Sequence, residues 1–224
     1  MERDAVSALV SQAKVLLLSI LGVIALGAGP NREGALRIPG PLGHAVTYMG
    51  IAFLLTPWFF IPFQSQPRLA GTARFLALAV AAIIGVGGAL LYALSLRALL
   101  PAFRGQFSEF TPGRLVTSGP YEHVRHPIYL AAVAIVLAVH LGLGATVSIL
   151  FFPLCYGMFW SVSLYEEKWI LEARFPAQYA QYRQQVRHRM LPAWAGVALG
   201  LPYLGLAVLG LLNALDLAHF KWIV

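Results

Sequence analysis

Charge is what this chain most lacks. Only 11% of its 224 residues are Asp, Glu, Lys or Arg, while 59% are hydrophobic. A soluble domain carries about 25% charged and about 45–50% apolar residues. The composition therefore excludes a water-soluble globular domain and indicates an integral membrane protein. Acidic residues are the scarcer sign, nine against sixteen Lys and Arg, for a net charge of +7. Basic loops between apolar runs report orientation and contact with anionic headgroups, not nucleic acid. Cysteine is nearly absent. The single Cys155 lies inside an apolar run, so no disulfide framework exists and the thiol reads as buried and inert. His123 and His126 have no Cys or third His spaced to join them, so no metal site is expected.

What is there is oil-soluble helix. A spanning helix needs about 20 mostly apolar residues, and six segments approach this: 6–28, 42–63, 73–97, 128–143, 145–165 and 195–215. The first run follows acidic as well as basic residues and lacks a small-x-small cleavage site, so it reads as a span and not as a removable signal. The second contains Pro57 and Pro62, where a helix kinks or stops. The third holds Gly85, Gly87 and Gly88, which permit close approach of a neighbouring backbone. The fourth is short and joined to the fifth only by Gly142-Leu143-Gly144, so the two form a tight antiparallel hairpin. The expected fold is an all-α, polytopic membrane bundle of about five to six transmembrane helices. It forms one integrated domain: 1–100 shaping an acceptor pocket, 101–193 carrying the core site, and 194–224 adding a last span.

Two polar clusters interrupt the oil. The first is Gly119-Pro120-Tyr121-Glu122-His123-Val124-Arg125-His126-Pro127-Ile128-Tyr129, and the second begins at Glu166-Glu167. Ionisable groups at the edge of a bilayer cost free energy, which makes them functional-site hypotheses. The hairpin returns Arg125-His126 and Glu166-Glu167 to the same membrane face. Paired carboxylates repel unless they meet cations or donors, and Arg125 and His126 are the nearest candidates. Pro127 fits the first turn of a helix, where its missing N–H costs nothing. Tyr121, Tyr129, Tyr179 and Tyr182 add rings that stack on a base or face a cation.

Beyond Glu167, Trp169, Leu171, Phe175, Tyr179 and Tyr182 fall near one face, predicting an extension of span five that breaks near Pro176 and resumes as an interfacial helix. Arg183, Arg187 and Arg189 read as surface charges, and Glu122 and His123 as exposed. With six spans, loops 29–41, 97–127 and 166–193 share one side and hold eleven of the sixteen basic residues, against four opposite. The positive-inside rule puts that side, and both polar clusters, in the cytosol.

The ordered pattern Leu115-Val116-x-x-Gly119-Pro120-Tyr121-x-x-Val124-Arg125-His126-Pro127-x-Tyr129, then Glu166-Glu167, Leu171, Phe175-x-x-x-Tyr179-x-x-Tyr182 and Leu191-Pro192, resembles the isoprenylcysteine carboxyl methyltransferase and phospholipid methyltransferase superfamily. Gly85-x-Gly87 also resembles that group's glycine element, although a Gly-x-Gly in an apolar helix more often serves packing. The resemblance covers about residues 110–192. It implies an integral membrane enzyme that uses S-adenosyl-L-methionine, with a cofactor site assembled from Tyr121, Val124, Arg125, His126, Pro127, Tyr129, Leu130, Glu166, Glu167, Leu171, Tyr179 and Tyr182. Arg125, His126 and Glu167 are the expected catalytic residues. Arg125 or His126 would donate to a carboxylate or ribose, a Glu would accept from an ammonium or hydroxyl, and Leu130 and Leu171 would line the adenine. A lipophilic or small acceptor, entering from the bilayer, would offer a carboxylate, thiol or amine. Two other readings stand beside this one: a sterol-reductase-type membrane reductase using NADPH, and a non-catalytic membrane protein on the same scaffold.

Overall fold

The computed structural model describes residues 17–18, 20–22, 46, 49–50, 61–63, 66–103 and 113–214. The first two expected spans lie almost entirely outside these residues. The described remainder is helical. Its main helices are α1 (Gly71–Leu99), α2 (Pro127–Leu143), α3 (Phe152–Glu166), α4 (Pro176–Gln185) and α5 (Ala193–Ala214), with short 3-10 turns between some of them, one at Gly119–Glu122. Among the described residues, three stretches are long and apolar enough to cross a membrane, Gly71–Ala102, Ser148–Arg174 and Ala193–Leu212, and the protein is an integral membrane protein. Helix α2 is shorter, about 26 Å at 1.5 Å per residue.

Helix α2 is the axis of the bundle. Ala131, Val133, Val136 and Leu137 are almost completely enclosed. Around them pack Ala81 of α1, Phe159 and Val162 of α3 and Leu206 of α5. Small residues let α1 and α2 approach closely: a Cβ on Gly88 would meet Ile135 at 3.1 Å and the Ala131 carbonyl at 3.3 Å. Gly85 also faces α2, 3.4 Å from Ala138, while Gly87 points to open space. The glycine element is thus a packing surface read at i and i+3. The outer faces of α1 and α5 present Phe75, Ile83, Trp194 and Leu201, as a hydrocarbon solvent requires.

The hairpin between α2 and α3 turns at Gly144, whose φ of 62° lies in the left-handed region and caps α2. A side chain there would also collide with Leu69. Segment 66–70 is sewn to this turn: Leu69 N–H donates to the Gly144 carbonyl at 2.9 Å, and Gln66 accepts from Val147 and Ser148. Arg68 and Arg74 donate to the Leu143 and Leu141 carbonyls at the C-terminal end of α2, where the helix dipole favours cations.

At the other end, α3 continues as a π-helical turn, Glu167–Leu171, then a single α-turn Glu172–Arg174, before Pro176 starts α4. The extension broken near Pro176 is therefore present. Its packed face differs from the expected one: Leu171, Phe175, Tyr179, Tyr182 and Val186 gather with Leu115, without Trp169. The wide turn shifts the helical phase at this point.

Candidate functional site

Three short pieces of chain meet at this end. The 3-10 turn opens at Gly119, whose φ of 64° is left-handed, and Gly119 N–H donates to the Glu122 carboxylate at 3.1 Å. Tyr121 is buried, and its carbonyl accepts the Tyr182 hydroxyl at 2.7 Å, tying the turn to α4. Next, Arg125 and His126 run beside segment 186–189. Arg125 N–H donates to the His188 carbonyl and His126 N–H to the Arg189 carbonyl, at 3.0 and 2.8 Å. Pro127 then starts α2, so the two charged side chains are fixed immediately before a buried helix.

Glu167 is the hub of the resulting network. One carboxylate oxygen accepts from Arg125 Nε at 2.9 Å, His126 Nε2 at 3.0 Å and Arg189 Nε at 3.0 Å; the other accepts from Arg189 Nη2 at 2.8 Å. Glu167 is 3% exposed, Arg125 8% and His126 6%. Arg125 is held further by the Val186 and Arg187 carbonyls, at 2.7 and 3.0 Å. Buried charges of this kind survive only when each is paired and hydrogen-bonded. Here that condition is met on both sides. The Tyr179 hydroxyl is buried beside Glu167 without a well-formed hydrogen bond.

Glu166 has a different environment. Adjacent residues on a helix point about 100° apart, and Glu166 faces away from the hub. Its Oε1 accepts the Tyr129 hydroxyl at 2.5 Å, and its Oε2 lies 3.6 Å from His126 Nδ1. Its side chain remains 24% exposed. The imidazole of His126 therefore bridges the two glutamates, and its ring stacks on Tyr129 at 5.6 Å. Burial alone would lower its pKa, but the hydrogen bonds and negative charge of Glu166 and Glu167 outweigh burial, so it rises above the ordinary 6.5. Doubly protonated, the ring donates to both carboxylates at once. Burial, with the nearby Glu166 charge added, raises the Tyr121 phenol, and burial raises Tyr182 as well. Both are neutral donors at pH 7.

A cavity of about 150 Å³ opens beside this network, lined by Arg125, His126, Tyr129 and Glu166 on its polar side. Leu99, Leu115, Val116, Ile128, Ile170 and Leu171 form most of the apolar side, with the Tyr121 and Tyr182 rings. Seven of the twelve residues expected at a cofactor site thus line one cavity. The other five do not. Glu167 and Tyr179 lie behind its wall, Pro127 is buried at the start of α2, and Val124 and Leu130 pack with Ala195 on the far side. Arg189 was the residue misread: it is a partner of Glu167 and lies over the Trp160 ring at 4.8 Å, not a surface charge. Arg183 and Arg187 are exposed, as are Glu122 and His123. The apolar lining at Leu99, Ile128 and Ile170 carried no sequence signal beyond hydrophobicity. Among the described residues, no group of three or more His, Cys, Asp or Glu stands together as metal ligands would.

No curated protein and no solved structure matches the chain. The family model for phospholipid methyltransferases does, over residues 76–177. That segment runs from α1 to the start of α4 and contains Arg125, His126, Tyr129, Glu166 and Glu167, but stops short of Tyr179, Tyr182 and Arg189. Over the segment that carries the site, the chain is similar to the phospholipid methyltransferase family.

Proposed function

We propose that the chain is a multi-pass membrane methyltransferase that takes its methyl group from S-adenosyl-L-methionine, bound at the cavity beside Glu166. The observation that carries this reading is the split between the two glutamates. Glu167 is consumed by Arg125, Arg189 and the His126 ring, whereas among the described residues Glu166 sits at the cavity wall with Tyr129 and a more distant imidazole for company. The donor set fits the cofactor: an acceptor carboxylate for an ammonium or ribose hydroxyl, cationic Arg125 and His126 for a carboxylate, and apolar side chains with tyrosine rings for a base. At about 150 Å³ the cavity holds one end of such a molecule, so the rest would extend past its mouth.

When bound, the cofactor supplies an electrophilic methyl group on a sulfonium. The chain's own contribution is placement. Methyl transfer needs acceptor, methyl carbon and sulfur in line, with reacting atoms about 3–3.5 Å apart. Glu166 orients one end of the cofactor, the Tyr129 hydroxyl and His126 fix the Glu166 carboxylate, and Glu167 with Arg189 fixes Arg125 and His126. Leu115, Val116, Ile170 and Leu171 keep water from the reacting atoms. A carboxylate or thiolate acceptor needs no base. An amine would have to lose a proton first, and Glu166 is the carboxylate with spare acceptor capacity; an imidazole donating to two glutamates is not free to act as that base. The acceptor, lipophilic or small, would arrive from the bilayer, and the basic loops support a cytosolic cofactor face.

The test is calorimetric titration of detergent-solubilised protein with S-adenosylhomocysteine and, separately, with NADPH. Binding of the first and not the second is expected. Binding of NADPH alone would replace the proposal with the reductase reading, and binding of neither would leave a scaffold without this chemistry.

A further inference from the structure

A second concavity lies on the other side of the wall that carries Tyr121 and Arg125. It is larger, about 1290 Å³, and shares no lining residue with the first. The chain alternates between the two: Tyr121 and Arg125 face the small cavity, while Gly119, Pro120, Glu122, His123 and Val124 border the large groove.

Its chemistry is graded along α1. Arg97 stands in the last turn of α1, with Leu94 and Leu91 one and two turns deeper, about 4.5 and 9 Å along the helix. Across the groove, Trp194 occupies the first turn of α5, just after Arg187 and His188. Among the described residues, two permanent cations and two histidines thus ring one end, against one carboxylate, Glu122, which already accepts from Gly119 N–H. Among the described residues neither Arg97 nor Arg187 has an ion-pair partner. Unpaired arginines above an apolar slot with an interfacial Trp match a lipid whose headgroup is negative and whose chains run down the helices.

We propose that this groove binds an anionic phospholipid of the surrounding leaflet, its phosphate between Arg97 and Arg187 and an acyl chain along Leu94 and Leu91. Such a lipid is not the methyl acceptor, because the Tyr121–Arg125 wall separates it from the cavity. It does touch the segment that orders the site: the carbonyls of Val186, Arg187 and His188 hold Arg125. The proposal does not depend on the identity of the cofactor.

The test uses purified protein in detergent, with dibrominated phosphatidylglycerol and dibrominated phosphatidylcholine as quenchers of tryptophan fluorescence. Subtracting the signal of Trp194→Phe isolates Trp194. Phosphatidylglycerol should quench Trp194 at a lower mole fraction than phosphatidylcholine, by about fivefold for each arginine engaged. Arg97→Gln and Arg187→Gln should each remove about that factor, and together abolish the preference. Arg97→Gln alone suffices if the double variant fails to elute as a monodisperse species. Equal potency of the two lipids, or a preference that survives the substitutions, overturns the proposal. Displacement of the brominated lipid by millimolar inorganic phosphate also overturns it, since the groove would then be a soluble-anion site.

Discussion

The guanidinium of Arg189 reaches both carboxylate oxygens of Glu167, at 3.0 and 2.8 Å, while its face rests on Trp160. This fork closes the network from the C-terminal side and leaves Glu167 little capacity for a ligand. It separates the fates of two neighbouring glutamates, and the separation can be measured.

Glu167→Gln should act on the fold first. The substitution leaves Arg125 and Arg189 buried or half-buried without a counter-charge, a loss of about 3–5 kcal/mol. For a chain of this size that lowers the thermal midpoint by on the order of ten degrees. Thermal unfolding in detergent reads it, and a midpoint within a degree or two of the wild type would show that Glu167 is not the hub.

Glu166→Gln should act on binding first. Its carboxylate is partly exposed and, among the described residues, meets Tyr129 and His126, so stability should change little. A lost charged hydrogen bond of about 1.5–3 kcal/mol weakens S-adenosylhomocysteine binding by about ten- to a hundredfold. Calorimetry that finds equal affinity in wild type and variant would move the ligand away from Glu166.

His126 sets a pH dependence. Its folded pKa is raised above the ordinary 6.5, so the stabilisation it contributes is complete below that value. It is lost as pH climbs through the folded pKa. The thermal midpoint should therefore fall as pH rises above about 6.5, and His126→Gln should flatten that part of the profile. A variant whose profile still falls in parallel with the wild type would assign the effect to another group.

Packing of α1 on α2 offers a paired test. Gly88→Val must push Ile135 and the Ala131 carbonyl aside, costing about 1–3 kcal/mol. Gly87→Ala meets open space and should be neutral or slightly stabilising. Equal midpoints for the two variants would deny the close approach.

Much of the site was legible in the sequence because a hairpin has simple geometry. Residues just before α2 and just after α3 must return to one end, which brings Arg125-His126 to Glu166-Glu167 without any knowledge of packing. The membrane helices among the described residues followed from apolar length. The division of labour between the glutamates was not legible. It depends on helical phase at the position where α3 widens into a π-turn, and hydrophobic periodicity does not resolve a shift of one residue. Arg189 was missed for a related reason: segment 186–189 pairs with Arg125 and His126 through backbone carbonyls, and carbonyl contacts leave no trace in side-chain pattern. Val124 lay within the motif and Leu130 was expected to line the base, but both pack on the opposite side of the wall.

The widened turn at Glu167–Leu171 fits one residue more into the helix than a regular α-turn would. Wound as ordinary α-helix with every residue kept, the same sequence would rotate everything that follows by about 100°. Tyr179 and Tyr182 would swing off the face that supports the site, while Glu166 stayed in place. The irregular turn therefore works as a phase adjuster: it lets the membrane-spanning part of the helix and its interfacial continuation each present the correct side, although no single regular helix could satisfy both.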